Sequence, residues 1–592
     1  MSTPPSALAE LEQRVALHLR AIYPDADAAA LTRRLIDTLE LDTVALPRPH
    51  ENKWSQADVL VITYGNTIVR GEQPPLQTLR EFLDRRLADS ISGVHVLPFF
   101  PYSSDDGFAV INYLQVNGAL GDWDDVSAIA KRFDLMADLV INHASSRSQW
   151  FENFKAGVDP GHDYFVAVPP DTDVADVVRP RSSPLLQPVQ TRQGERHVWC
   201  TFGPDQVDLN FANPDVLVEF TNILARYLEA GVRILRLDAV AFLWKVPGTP
   251  CVHLQPTHEI VKLLRLLAEV KRADALVITE TNVPLRDNLT YFGNANEAHT
   301  IYNFSLPPLL IHALVSGNCR HLKTWMMRMP PACAGTCYLN FIASHDGVGL
   351  RPAEGLLDDG ELEALLDTLE RFGGYISMRS DAGGTLRPYE ANISLWSALA
   401  GTIDGGEDDL QFERFVCAHA IMLALEGIPA IYLNSLFGTP NDTVAVERSG
   451  RYRSINRHLW DADDLDAELD DANHRTSRVF AGLTRLLDIR RRQPAFHPNA
   501  VQFTMHLGLE IFAFWRQSVD RRQSIFCLSN VTAQPQRVEL TQVNLIDTES
   551  WVDLVTGEAL ENLRGRLELA PYQTVWLSNR DGAAAAGASS LP

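Results

Sequence analysis

The 592-residue chain is short of basic charge, of cysteine and of long apolar runs. Its 52 lysines and arginines face 75 aspartates and glutamates, a formal net charge of −23. A surface of that sign argues against nucleic acid or an anionic membrane as a partner. It would also suit a salty cytoplasm. The seven cysteines (Cys200, Cys251, Cys319, Cys333, Cys337, Cys417, Cys527) are odd in number and scattered. Cys333 and Cys337 lack a nearby second pair, so no metal spacing emerges and the thiols read as reduced and cytoplasmic. The N-terminus, Met-Ser-Thr-Pro-Pro, lacks the basic-then-apolar order of a secretory signal. The most apolar stretch, 415–433, is broken by His419, Glu426, Gly427 and Pro429, and reads as a buried helix followed by a strand rather than a membrane span. No glycine-rich loop opens a helix, so neither a dinucleotide cofactor nor a metal is expected. Internal repeats are absent as well.

What is present is a rhythm. Residues 6–40 carry apolar groups at helical spacing (Leu8, Leu11, Val15, Leu19, Ile22), which predicts an N-terminal helical extension over 1–54. Short β-rich runs then alternate with longer helical stretches, at 59–64, 94–97, 135–141, 234–237, 276–279, 300–304, 337–341 and 430–433. Strands separated by helices in this way predict an α/β fold, a (β/α)8 barrel over 55–497 whose site lies at the carboxyl ends of the strands. Two gaps are too long for one helix, so insertions are expected after strand three (144–215) and strand seven (346–405). Past 497 the pattern changes to alternating strands, at 511–515, 524–528 and 574–577. That predicts a C-terminal antiparallel β domain over 498–580, followed by a low-complexity Ala/Gly/Ser tail over 581–592.

The chain centres on the fourth run, Gly231-Val232-Arg233-Ile234-Leu235-Arg236-Leu237-Asp238. Arg236 and Asp238 are two residues apart, hence on one face of a strand. An isolated Arg-x-Asp is ordinarily a buried salt bridge. Here other polar residues fall at the ends of the other strands. Ser103-Ser104-Asp105-Asp106-Gly107-Phe108 follows strand two, Asp138 to Asn142-His143 ends strand three, Glu280 ends strand five, and His345-Asp346 follows strand seven. Chance would scatter such residues over both ends of the barrel.

Asp138-x-x-x-Asn142-His143, Arg236-x-Asp238, Glu280 and His345-Asp346, in that order, resemble the signature regions of the α-amylase superfamily. Gln206-Val207-Asp208-Leu209-Asn210 resembles that superfamily's additional motif. Within it, Leu97-Pro98-Phe99-Phe100-Pro101, Arg179-Pro180-Arg181, Ser305-Leu306-Pro307-Pro308, Ser344-His345-Asp346-Gly347 and Ile455-Asn456-Arg457-His458 are similar to the sucrose phosphorylase subfamily. The resemblance spans residues 55–580.

Retaining glucosyl transfer needs a carboxylate nucleophile and a carboxylic acid about 5–5.5 Å apart. The resemblance casts Asp238 as nucleophile, Glu280 as acid then base, and Asp346 as the carboxylate that grips the ring as it distorts. Arg236 would keep Asp238 ionised, and the charge of Asp238 would raise the pKa of Glu280. His143 and His345 would donate to the sugar. The resemblance also puts Asp105 and Arg457 on the distal hydroxyls, with Phe108 and Phe242 as apolar walls. Arg181, with Arg179 nearby, would seat phosphate. The partners implied are an α-glucoside, inorganic phosphate and α-glucose 1-phosphate, handled by a cytoplasmic monomer or homodimer.

The aglycone end departs from sucrose phosphorylases. Asn282 replaces a histidine, Pro388-Tyr389-Glu390 replaces Leu-Tyr-Gln, and Val178 replaces a tyrosine, so Asn282, Tyr389 and Glu390 become candidate acceptor contacts. These changes resemble the branch acting on glucosylglycerol, glucosylglycerate or sucrose 6′-phosphate. An osmolyte would suit so acidic a protein, and glucosylglycerol is the expected substrate. Sucrose itself, and an α-glucosidase or transglucosylase activity, stay open. A catalytically dead binding module would ordinarily have lost the nucleophile or the acid, and this chain keeps both.

Overall fold

In the computed structural model, residues 6–41, 43–181, 183–380 and 386–579 are described. The alanine-rich tail from 581 lies outside them. Each of the eight β-rich runs forms a strand: β1 Leu60–Thr63, β2 Gly93–Val96, β3 Asp134–Val140, β4 Val232–Asp238, β5 Leu276–Thr279, β6 Thr300–Tyr302, β7 Cys337–Asn340 and β8 Ile428–Tyr432. They pair in parallel, each with its neighbours in sequence, and β1 pairs β8 to close the barrel. The strand interiors are apolar because both faces are covered, one by the helices and one by the barrel interior. Strand β8 starts two residues before the predicted 430, running through Pro429, which pairs Asn340. At a barrel-strand end a proline that has only to offer its carbonyl is tolerated.

The N-terminal extension forms two helices, α1 Ala7–Ile22 and α2 Ala28–Leu39. Each starts at a side-chain cap: Ser6 Oγ accepts from Ala9 N at 3.2 Å, and Asp27 Oδ1 accepts from Ala29 N and Ala30 N at 3.0 Å. Leu11, Val15, Leu19 and Ile22 form the buried stripe of α1, which packs on α4 (Gln255–Lys271), while α2 packs on α3 (Pro214–Glu229). Tyr23 closes this contact by donating to the Phe211 carbonyl at 2.8 Å.

Between β3 and β4 the chain builds a helix, Gln149–Ala156, and a three-stranded sheet, and Gln206–Asp208 returns to pair His143–Ser145. Beyond β7, Val348–Gly349 joins the hairpin Tyr375–Ser380 and Leu386–Asn392 in a second small sheet. The C-terminal sheet is antiparallel: β9 Val501–His506, β10 Ile511–Gln517, β11 Ser524–Asn530, β12 Val552–Asp553 and β13 Thr574–Ser578, in the order β9-β10-β11-β13-β12. Buried Arg516 ties it to the barrel, donating to Ala424 O at 2.6 Å and His497 O at 2.8 Å. Among the described residues no helix is long and apolar enough to cross a membrane.

Candidate active site

The register of β4 and β5 brings the two central carboxylates together. Leu237 pairs with Thr279, which leaves Asp238 and Glu280 at one level, each just where its strand ends. Glu280 N donates to Leu237 O at 3.0 Å, and Glu280 Oε2 accepts from Ala239 N at 3.1 Å. Ala239 adopts φ +52, a left-handed conformation that costs a non-glycine residue energy and turns its N–H toward the acid.

Beneath them lies a buried charge row spread over three strands. Arg236 Nη1 contacts Asp138 and also Asp238, the latter at 2.7 Å, and His95 Nε2 lies 2.7 Å from the other oxygen of Asp138. Arg236 is therefore both a structural salt bridge and the group that orients Asp238. His95 was not singled out in the sequence; its signal is a polar residue in the otherwise apolar Gly-Val-His-Val of β2.

The cleft above this row, about 500 Å³, is lined by Asp238, Glu280, Asp346, Asp105, His143 and His345, and by Phe108, Arg236, Asn282, Tyr389 and Arg181. Gln206, Phe202 and Arg453 line it too. A neighbouring cavity of about 740 Å³ behind Asp346 has mainly apolar walls such as Phe304, Phe341 and Ile393. The carboxylates converge on the first.

Burial pushes Glu280 up to about 7, with the negative charges of Asp238 and Asp346 adding to it against Arg236. The expectation that Asp238 is the main cause is thus corrected, because desolvation of a carboxyl with a single backbone donor outweighs the neighbouring charge. Asp238 is also raised by burial, but it holds the guanidinium at 2.7 Å, so the proton belongs on Glu280. Burial works to raise Asp346 as well, but the guanidinium groups of Arg453 and Arg457 hold it below the usual carboxylate range. Burial keeps His345 neutral, at about 3. The imidazole stacks on Phe108, ring centres 5.2 Å apart and planes at 8°.

The rest of the predicted set divides. The Asp105-Asp106 turn carries two left-handed residues, φ +53 and +46, and sends its side chains apart. Asp105 enters the cleft, where Gln206 Nε2 donates to it at 3.2 Å. Asp106 leaves the cleft and binds Arg457, which also donates to the His345 carbonyl at 2.9 Å. His143 Nε2 is occupied by the Phe108 carbonyl at 2.9 Å. Phe242 packs edge-on against Phe202, ring centres 5.5 Å apart, and it is Phe202 that forms the wall. Glu390 is buried and held by Arg453. Arg181 lies over the Tyr389 ring, 5.3 Å from its centre, whereas Arg179 is set back from the cleft.

Arg453 and Lys245 escaped the sequence reading. Arg453 lies in the 3-10 turn Tyr452–Asn456, beside a quoted motif but outside it. Lys245 Nζ binds Asp208 at 2.6 Å and Asn142 at 2.7 Å, joining two of the quoted motifs beneath the site. Among the described residues no three His, Cys, Asp or Glu side chains converge as a metal cage.

Residues 89–350 match the α-amylase catalytic domain, and residues 516–577 match the C-terminal immunoglobulin-like domain of D-apionate lactonase. The chain is 41% identical to a glucosylglycerate phosphorylase of Allomeiothermus silvanus, covering 96% of this chain and 99% of that one. It is 38% identical to the Escherichia coli glucosylglycerate phosphorylase, over 96% and 100%. A glucosylglycerol phosphorylase of Marinobacter adhaerens is 30% identical over 71% of this chain and 85% of its own length. In fold, the chain is similar to the crystal structure of sucrose 6F-phosphate phosphorylase from Thermoanaerobacter thermosaccharolyticum, with TM-score 0.69 at 24% identity, covering 80% and 94% of the two chains. With its closed barrel, its C-terminal β-sheet and this similarity over nearly the whole length, the chain belongs to the α-amylase superfamily, among that superfamily's glycoside phosphorylases.

Proposed function

We propose that the protein is a retaining phosphorylase of glucosylglycerate, yielding α-D-glucose 1-phosphate and glycerate. Asp238 attacks the anomeric carbon while Glu280 protonates the departing glycerate oxygen, leaving a β-glucosyl ester on Asp238. Phosphate then attacks that carbon with Glu280, now a carboxylate, as the base, and the second inversion restores the α configuration. Asp346 and Arg236 supply charge that tightens on the distorted ring and orients the nucleophile.

The observation that carries the substrate is the similarity to two glucosylglycerate phosphorylases, 38–41% identical over 96% of the chain, against 30% over 71% for the glucosylglycerol enzyme. Glycerate therefore replaces glycerol as the preferred reading.

The test is incubation with α-glucose 1-phosphate and, separately, glycerate, glycerol, fructose and fructose 6-phosphate, following phosphate release. Glycerate should support the fastest release. Faster release with glycerol would return the reading to glucosylglycerol, and equal release without any acceptor would make the enzyme a hydrolase.

A further inference from the structure

His95 takes no part in the displacement itself, yet it ends the charge row beneath the two carboxylates. On β2 it lies opposite Met136 of β3, and Asp138 is two residues further along that strand, so the two side chains share a face. Arg236 lies opposite Asp138 on β4, and Asp238 follows two residues later on the same face. The row therefore runs His95, Asp138, Arg236, Asp238 across three neighbouring strands, and no member is more than 7% exposed. A hydrogen bond to a carboxylate needs a donor, so the imidazole proton facing Asp138 is on Nε2, 2.7 Å from Oδ2. Nδ1 is buried without a hydrogen-bond partner, so among the described residues Asp138 is the one group that the His95 side chain bonds.

Arg236 serves Asp138 and Asp238 with the same nitrogen, Nη1, so the two carboxylates compete for one guanidinium. A carboxylate with both oxygens free takes a guanidinium as a two-pronged fork, which is stronger than a single bond. Asp138 is wholly buried whereas Asp238 lines the cleft, so the buried acid stands to gain more from the fork. A buried carboxylate oxygen left without a donor is costly. His95 supplies that donor to Oδ2. Asp138 then draws on Arg236 through Oδ1 alone, and Nη1 stays 2.7 Å from Asp238.

Resting on the reading of Asp238 as nucleophile, we infer that His95 is a positioning residue: it occupies the second oxygen of Asp138 so that Arg236 is left to orient Asp238. The measurement is kcat/KM with α-glucosyl fluoride as donor and inorganic phosphate as acceptor. His95→Leu should lower it about 10- to 100-fold, the usual weight of a charge-assisted hydrogen bond, and by the same factor for a glucoside. His95→Gln keeps an N–H donor and should recover most of the loss. Adding Asp138→Asn to His95→Leu should recover part of it too, because a neutral amide no longer competes for the guanidinium. Arg236 works against burial to hold Glu280 down, so its withdrawal in His95→Leu should move the decline of kcat/KM for the glucoside above pH 7.

A fall in Tm with the rate and the pH profile unmoved would make His95 a structural residue only and overturn the proposal. Should His95→Leu not fold, Asp138→Asn is compared with His95→Leu/Asp138→Asn. With the competing charge gone, the second substitution should cost less than about 3-fold, since His95 acts through Asp138 alone. A full loss repeated in that background would overturn the proposal as well. If Asp238→Asn still turned over α-glucosyl fluoride, the nucleophile reading would fail first and this inference with it. An inactive Asp238→Asn beside an unaffected His95→Leu would sink the inference alone.

Discussion

Arg453 grips Glu390 with two N–H groups, at 2.9 and 2.6 Å, and reaches Asp346 at 2.6 Å. One guanidinium thereby fastens the hairpin that follows β7 to the Asp346 carboxylate in the cleft. Arg453→Lys keeps the charge but cannot hold both acids in one plane. The kcat should drop by roughly 10- to 100-fold, the weight of one or two charge-assisted hydrogen bonds, and equally for a glucoside and for α-glucosyl fluoride, because Asp346 acts on the shared glucose. A loss confined to acceptor KM would place Arg453 on the aglycone instead.

Glu280→Gln keeps shape and hydrogen bonding but cannot protonate a leaving group. Activity on an alkyl glucoside should fall on the order of 10²–10⁴-fold, the usual contribution of a general acid. With α-glucosyl fluoride, whose departure needs little proton assistance, the fall should be much smaller. Equal losses on the two donors would remove Glu280 from that role.

Burial lifts Glu280 to about 7 from its ordinary value of 4.5. The protonated form that glucosylation requires is present below about pH 7 and is lost above it. In a double displacement, kcat/KM for the glucoside does not involve phosphate, so its decline above pH 7 should follow one proton and disappear in Glu280→Gln. A profile flat to pH 9 would contradict the assignment.

Asp238→Asn removes the nucleophile, so both donors should lose activity together. The phosphorolysis product, read by NMR, should be α-glucose 1-phosphate, whose phosphorylated anomeric oxygen fixes the configuration. The β anomer would mean single displacement and would exclude Asp238 as nucleophile.

Lys245 is buried between Asp208 and Asn142, at 2.6 and 2.7 Å. Lys245→Met leaves Asp208 buried without its counter-ion, although Thr201 still donates to it. The cost should be about 3–5 kcal/mol in denaturant unfolding. Asp208→Asn in the same background should return part of it, because the uncompensated charge is then gone.

Which residues form strands, and which polar groups stand at the strand ends, were legible from the sequence because they depend on neighbours along the chain. Alternating β-rich and helical runs located all eight barrel strands to within about two residues; Asp238 and Glu280 sit just where a strand stops, and His345-Asp346 follow β7 in the loop past Asn340. The quoted motifs also carried the family. Tertiary structure alone decided the pairing. The register that levels Asp238 with Glu280 is set by hydrogen bonds between strands 42 residues apart in sequence, Leu237 opposite Thr279. Nothing local distinguished Asp105 from Asp106, yet the turn sends one into the cleft and the other to Arg457. Arg453 and His95 became visible only once their partners were in place. The pKa of Glu280 follows the same rule, since its largest cause is the loss of water around it, and how much water a side chain loses is fixed only when distant segments close over it.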